Sequence, residues 1–180
     1  MLRPSDRLEH DGVRLRRWHT EDGDELLRVV SESVDHLTPW MAWAEGYDRT
    51  RTTEFLARCD TDWQDGTAYN YAILDSGGAI AGSCGLMSRV GPGGLEVGYW
   101  LHPGHTGRGM VTRAAAALTA EAFRIGADRV EIVTDAANQR SAAVARRLGF
   151  VEVARNPAEP PTSPARQGVN IVWRRTTPPA

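Results

Sequence analysis

Residues 95–112, LEVGYWLHPGHTGRGMVT, constrain the fold of this chain more than any other stretch. A β-type run from Leu95 to Leu101 enters a turn at His102 to Gly107, and Gly107-Arg108-Gly109 then opens a long alanine-rich segment. The pattern is a strand feeding a glycine turn at the start of a helix. Backbone N–H groups of a first helical turn have no intrahelical partner, and the helix dipole adds partial positive charge there, so such an end binds phosphate. Gly107 and Gly109 lack a Cβ and let a ligand approach the main chain closely. Arg108 adds a guanidinium suited to charge-assisted contacts with a phosphate.

Several glycine loops share this logic. A P-loop requires GxxxxGK[ST], and this chain has no lysine, all 21 of its Lys+Arg residues being arginine. A dinucleotide fingerprint requires GxGxxG after a first strand. Gly107 and Gly109 fit it, but Thr112 stands at the third glycine, and the motif lies mid-chain after apparent hairpins. Asp135, after a later strand, keeps that reading open. So does the plain alternative of a glycine-rich strand-to-helix turn with no ligand.

At 180 residues the chain reads as one domain over 1–180, with a core of about 10–175 and a flexible proline-rich C-terminal tail. A net charge of −2 predicts no general attraction for nucleic acid or an anionic membrane. Cys59 and Cys84 are far apart and form no CxxC or Cys/His spacing, which suits reduced, buried thiols in a cytoplasmic protein and no metal site. The N-terminus has no apolar stretch after its charges, so no signal peptide is expected, and no apolar run is long enough for a membrane span.

Along the chain, Val13–Trp18 predicts a strand. Thr20 can cap a helix carrying Leu27, Val30, Val34 and Leu37 at helical spacing, which Pro39 ends. A second helix is predicted from about Thr53 to Trp63. Strands follow at Thr67–Leu74, Ala79–Ser88 and Leu95–Leu101, joined by short turns as an antiparallel meander. After the glycine loop a helix with Val111, Ala115, Leu118, Ala122 and Ile125 on one face runs to Gly126. Arg129–Thr134 is a strand, Asn138 caps a helix over Gln139–Leu148, Phe150–Ala154 is a strand, 156–168 is a proline-rich loop, and Val169–Arg174 is a last strand. The order predicts an α+β (α/β) fold, a mixed sheet with helices on its faces rather than a βαβ series.

This order resembles the GNAT superfamily of N-acetyltransferases, whose acetyl-CoA pyrophosphate loop, [Q/R]xxGxG/A, lies between a strand and a long helix; Gly104 replaces the Gln or Arg of that pattern. LEVGYWL with HPGHTGRGMVT, RVEIVTDAANQRSAAVARRLGF and HLTPWMAW are similar to blocks of the RimJ/RimL-type branch, ribosomal-protein N-terminal acetyltransferases and their relatives. The resemblance covers roughly residues 10–175. It implies the GNAT acyl-CoA N-acyltransferase fold: a mixed, mostly antiparallel sheet of about seven strands flanked by helices, with the strand at Leu95 splayed from that at Arg129. It also implies acetyl transfer from acetyl-CoA to a primary amine, by direct attack in a ternary complex and without a metal. The amine is a protein N-terminus or a small molecule.

Carried onto this chain, the resemblance assigns the pantetheine arm to Gly98, Tyr99, Trp100 and Leu101 and the pyrophosphate to His105, Thr106, Gly107, Arg108, Gly109, Met110, Val111 and Thr112. Asn138 would contact the arm, and Ser141 would be general acid at the sulfur; Asn138 serves equally as a plain helix cap. Glu96 is a candidate base or a structural carboxylate facing an arginine. Glu159, in the C-terminal loop, is a second candidate base. His102 and His105 flank the loop and suit a phosphate contact or solvent. Trp40, Trp43 and Trp100 could wall an acceptor cleft or serve as core. A non-catalytic acyl-CoA-binding module and an acyltransferase for a longer donor such as succinyl-CoA remain as alternatives. A homodimer is compatible with the resemblance, and no seam in the sequence specifies one.

Overall fold

The computed structural model describes residues 1–158 and 163–176. Its elements are β1 (Arg7–His10), β2 (Val13–Arg17), α1 (Gly23–Ser31), α2 (Val34–Leu37), α3 (Arg49–Asp65), β3 (Ala68–Leu74), β4 (Ile80–Met87), β5 (Gly94–Leu101), α4 (Met110–Arg124), β6 (Arg129–Asp135), α5 (Gln139–Arg147), β7 (Val151–Pro157) and β8 (Val169–Arg175). The strands form one eight-stranded sheet in the order β1-β2-β3-β4-β5-β6-β8-β7. Every neighbouring pair is antiparallel except β5–β6. A parallel dinucleotide-binding sheet is therefore excluded.

The strand beyond the expected seven or so is β1. It pairs with β2 across Asp11-Gly12, where φ is 46° and 76°. Positive φ at both central residues is the requirement of a tight hairpin turn, and an Asp-Gly dipeptide meets it. The first helix is not continuous to Leu37. The Ser33 hydroxyl donates to the Val29 carbonyl at 2.6 Å, satisfying a late helical acceptor with a side chain, and the chain re-enters as the short α2. Thr20 does not cap α1; it opens a 3-10 turn in which the Asp22 carboxylate accepts from the His19 N–H at 2.9 Å and from Arg16. Helix α3 begins earlier than expected because the Asp48 carboxylate accepts from the Arg51 N–H at 2.9 Å and so caps it. Strand β7 runs on to Pro157, into the predicted loop.

Side chains alternate across the sheet. Leu15, Tyr71, Leu86, Leu95, Val97 and Ile132 face α4 and α5, whose alanines let the helices lie close on the strands. Trp18, Ala72 and Ile80 face α1 and α3 through Leu26, Val29, Val30, Leu56 and Cys59. Trp18 is buried and its indole N–H donates to the Ser83 hydroxyl at 3.2 Å. Cys59 and Cys84 are free and buried; burial pushes the Cys59 thiol up to about 12 and Cys84 higher still. Among the described residues no helix is long and apolar enough to cross a membrane.

Candidate active site

The one parallel contact in the sheet is short. β5 and β6 register over Gly94↔Arg129, Leu95↔Val130 and Glu96↔Glu131 and then part. β5 continues against β4 to Leu101, and β6 continues against β8 to Asp135. From Val97 onward β5 has no strand on its β6 side, and a cleft of about 870 Å³ opens there. Glu96, Gly98 and Trp100 line it from the α1/α3 face, and Val97 and Tyr99 from the α4/α5 face. The cleft is thus lined from both faces of the sheet. Part of its floor is bare backbone. Gly98 lies opposite Gly85, and a Cβ at Gly98 would sit 2.8 Å from Met87 Cε, one at Gly85 2.5 Å from Asn70 Oδ1.

On the α4 side lies the glycine loop. Gly107 and Gly109 have φ of 78° and 70°, and a Cβ at either would meet nothing within 4 Å. Gly109 is the N-cap of α4 and no side chain caps the helix, so its first N–H groups face open space. The loop is braced from behind: Arg113 donates to the Arg108 carbonyl at 2.9 Å and to the Asp11 carbonyl at 3.2 Å, tying it to the β1–β2 turn. His102 is engaged within the protein. Its Nδ1 accepts from the Gly104 N–H at 3.0 Å and its Nε2 lies 3.2 Å from the Glu32 carboxylate. His105, half-buried, packs edge-on against it with ring centroids 5.8 Å apart.

Asn138 caps α5, its Oδ1 accepting from the Ser141 N–H at 3.1 Å, which leaves the side-chain NH2 free to donate. Ser141 Oγ lies 2.9 Å from the Tyr99 hydroxyl, and both residues line the cleft. The same hydroxyl is 3.3 Å from the Ser141 carbonyl. Burial pushes the Tyr99 phenol up to about 12 against the opposing effect of its bond to Ser141. Tyr99 therefore stays protonated at neutral pH, and in its contact with Ser141 Oγ either hydroxyl can be the donor.

On the α1/α3 side, Trp40, Trp43 and Trp100 line the cleft. The Trp43 ring sits 6.0 Å from Trp100 and 5.8 Å from Tyr47. Glu96 is buried and held by Arg89, which donates Nε to Oε2 at 2.9 Å and Nη2 to Oε1 at 2.5 Å. Sequence reasoning missed Arg89, along with Arg51, Glu54 and Arg58 of α3, all of which line the cleft. The α3 residues follow helical spacing, a signal present in the sequence but indistinguishable there from a solvated helix face. Glu159 lies outside the described residues.

Asp135 belongs to the cleft wall and not to a ribose site. Its carboxylate accepts from the Ala137 and Gln167 N–H groups, each at 2.9 Å, and from Arg166 at 3.3 Å. Burial alone would raise its pKa; these donors outweigh burial and hold the carboxyl below the usual aspartate value. They fasten the 163–168 loop, whose Ser163 hydroxyl donates to the Pro39 carbonyl beside Trp40. Because the folded pKa is depressed, the stabilisation is complete above the unfolded value near 4 and is lost as pH falls through the folded one. Thermal unfolding between pH 6 and pH 3 should show Tm falling with acid, and Asp135→Asn should flatten that fall; an unchanged slope would remove Asp135 from this role.

The acetyltransferase (GNAT) domain model matches residues 13–151. The chain belongs to the GNAT acetyltransferase family. It is an acyl-CoA-dependent N-acetyltransferase, with acetyl-CoA as acyl donor and an amine as acceptor. It is 27% identical over 152 residues to YdaF of Bacillus subtilis (strain 168), named for a proposed ribosomal N-acetyltransferase activity, covering 79% of this chain and 80% of that protein. The fold matches the microcin C7 self-immunity acetyltransferase MccE, solved with acetyl-CoA and AMP, at a TM-score of 0.84 and 21% identity, covering 93% of each chain. It matches RimL, a ribosomal L7/L12 α-N-protein acetyltransferase solved with coenzyme A, at 0.82 and 23%, covering 91% of this chain and 93% of that one. RimJ of Mycobacterium smegmatis, in complex with a CoA-disulfide, matches at 0.82 and 21%, covering 94% and 85%. In this GNAT chain the open glycine positions, the uncapped α4 end and the free edge of β5 fit a pantetheine-pyrophosphate ligand.

Proposed function

We propose that this chain acetylates a primary amine, the α-amine of a protein N-terminus or an amine of a small molecule, by direct attack in a ternary complex in the cytoplasm. The observation that carries the reading is the cleft lined from both faces of the sheet. It leads from the Ser141–Tyr99 pair to a tryptophan-lined, carboxylate-bearing region beside α3. Two substrates held in this one cleft beside Gly98 are brought within reach of each other, which lowers the entropic cost of a bimolecular transfer.

Bound acetyl-CoA supplies an activated acetyl thioester. The backbone of His105 to Thr112 holds its pyrophosphate, with Arg108 adding charge. Main-chain groups of Gly98 to Leu101 pair with the pantetheine arm as an added strand and donate to the developing oxyanion. Asn138 donates its free NH2 to the arm. Ser141 gives its proton to the leaving thiolate, and Tyr99 holds the serine in place. Both oxygens of Glu96 already accept from Arg89. Glu96 is therefore assigned to the acceptor proton through an ordered water rather than by direct contact. Trp40, Trp43 and Trp100 wall the acceptor.

An α-amino group has a pKa near 8 and is about one-tenth neutral at pH 7, whereas a lysine near 10.4 is neutral in well under a thousandth of molecules. A site whose described residues offer no free, strong base acts on the first kind. YdaF and RimL, both similar to this chain, carry names that refer to ribosomal acetylation or α-N-acetylation, which supports the same acceptor. Mass spectrometry of a peptide with a free N-terminus and an internal lysine, incubated with enzyme and acetyl-CoA alongside small amines, should show the label on the α-amine or a small amine. Preferential lysine labelling would overturn the assignment.

A further inference from the structure

The cleft does not end at the Glu96–Arg89 pair. A second groove of about 430 Å³ shares Phe55, Arg58, Asn70, Met87 and Arg89 with it and continues between α3 and the start of β3. Those five residues form a shared border, so the groove adjoins the Glu96–Arg89 side of the cleft. An extended acceptor chain, advancing roughly 3.3 Å per residue, can run from the cleft into an adjoining groove.

Among the described residues three charged side chains line this groove: Arg58, Asp62 and Arg89. The Asp62 carboxylate accepts from the Thr67 hydroxyl at 3.1 Å. Arg89 is committed through Nε and Nη2 to Glu96. Arg58 makes no hydrogen bond or ion pair with a described residue, although Asp62 lies one helical turn further on. Glu54, one turn earlier, lines the first cleft and not the groove. The groove thus carries the Asp62 carboxylate, the Arg89 guanidinium already paired with Glu96, and Arg58, the cation among them without a hydrogen bond or ion pair to a described residue, whose planar fork suits a carboxylate.

We infer that the groove is a second acceptor subsite for a carboxylate carried by the amine substrate, and that Arg58 reads it. The inference rests on the amine-transfer reading of the cleft. The carboxylate can come from an acidic side chain near a peptide N-terminus or from the terminal carboxylate of a short amino-carboxylate.

The experiment compares parent and Arg58→Glu by thiol release from acetyl-CoA. One series contains hexapeptides differing by Asp, Asn or Arg at the second and third residues; another pairs dipeptides with their C-terminal amides. The parent should favour the acidic member of at least one series by on the order of fivefold in kcat/KM, mainly through KM, as expected for one partly exposed ion pair. In Arg58→Glu the preference should invert. A ratio measured within one enzyme is insensitive to the fraction folded. A hexapeptide preference identifies a side-chain carboxylate, and a dipeptide preference identifies a terminal one. No carboxylate preference in the parent, ratios unchanged in Arg58→Glu, or no turnover of any acid-bearing amine while simple amines react would each overturn the inference. Failure of the α-amine reading shows separately, as acetyl label on lysine in the same peptides re-synthesised with one lysine.

Discussion

Ser141→Ala should lower kcat by roughly one to three decades while the KM for acetyl-CoA moves much less, the signature of a lost proton-transfer group. The geometry makes the substitution clean. The α5 cap runs from the Ser141 backbone N–H to Asn138 Oδ1 and does not use the hydroxyl, so alanine keeps the helix start. What disappears is the Oγ that lies 2.9 Å from the Tyr99 hydroxyl at the cleft. Tyr99→Phe should cost less than Ser141→Ala, because Tyr99 orients the serine and does not itself meet the sulfur. Single-turnover rates keep the comparison valid if product release limits kcat. A parent-like single-turnover rate in Ser141→Ala would remove this residue from the mechanism.

The second large effect is expected at the glycine loop. Gly109→Val should weaken CoA binding by one to two decades or more, on the order of 1.4 kcal/mol for each decade, while the protein still folds. A Cβ at Gly109 meets no protein atom within 4 Å, so a side chain there points into open space, which is assigned to the pyrophosphate. The backbone also resists, since φ at Gly109 is 70° and a β-branched residue there carries a strain of about 1–3 kcal/mol. Gly126→Val separates the two causes. Gly126 follows the other end of α4, has φ of 99°, and also has nothing within 4 Å. Both variants should lose stability by thermal unfolding, and only Gly109→Val should lose CoA affinity in a titration. Equal CoA affinity in the two variants would detach the loop from the cofactor.

Much of this was legible in the chain because it is local. The positive φ at Gly107 and Gly109, the strand that precedes them and the helix that follows are decided within the stretch 95–112. The Asn138–Ser141 cap is likewise a three-residue relation that the helix geometry enforces. Where reading failed, the competing cause was a side chain or a turn: Asp11-Gly12 makes the missed β1 hairpin, the Ser33 hydroxyl interrupts the first helix, and Asp48 starts α3 early. Each signal is present in the sequence, but Asp, Gly and Ser fit a loop as well as a cap or turn.

The sequence by itself determined the glycine turn at the start of α4, the Asn138 cap of α5 and the meander of β3 to β5, since helical spacing, strand alternation and glycine φ are short-range properties, and the resemblance of its blocks gave the family. Only the tertiary structure decided that Tyr99 meets Ser141, that Glu96 is held by Arg89 and that Asp135 fastens the C-terminal loop. It also decided that β5 parts from β6 after Glu96 and that a second groove lies along α3 beside Arg58. These relations join residues from different strands and helices. Their geometry follows from sheet register and strand divergence, which are set by the packing of both helical layers at once and by no single segment.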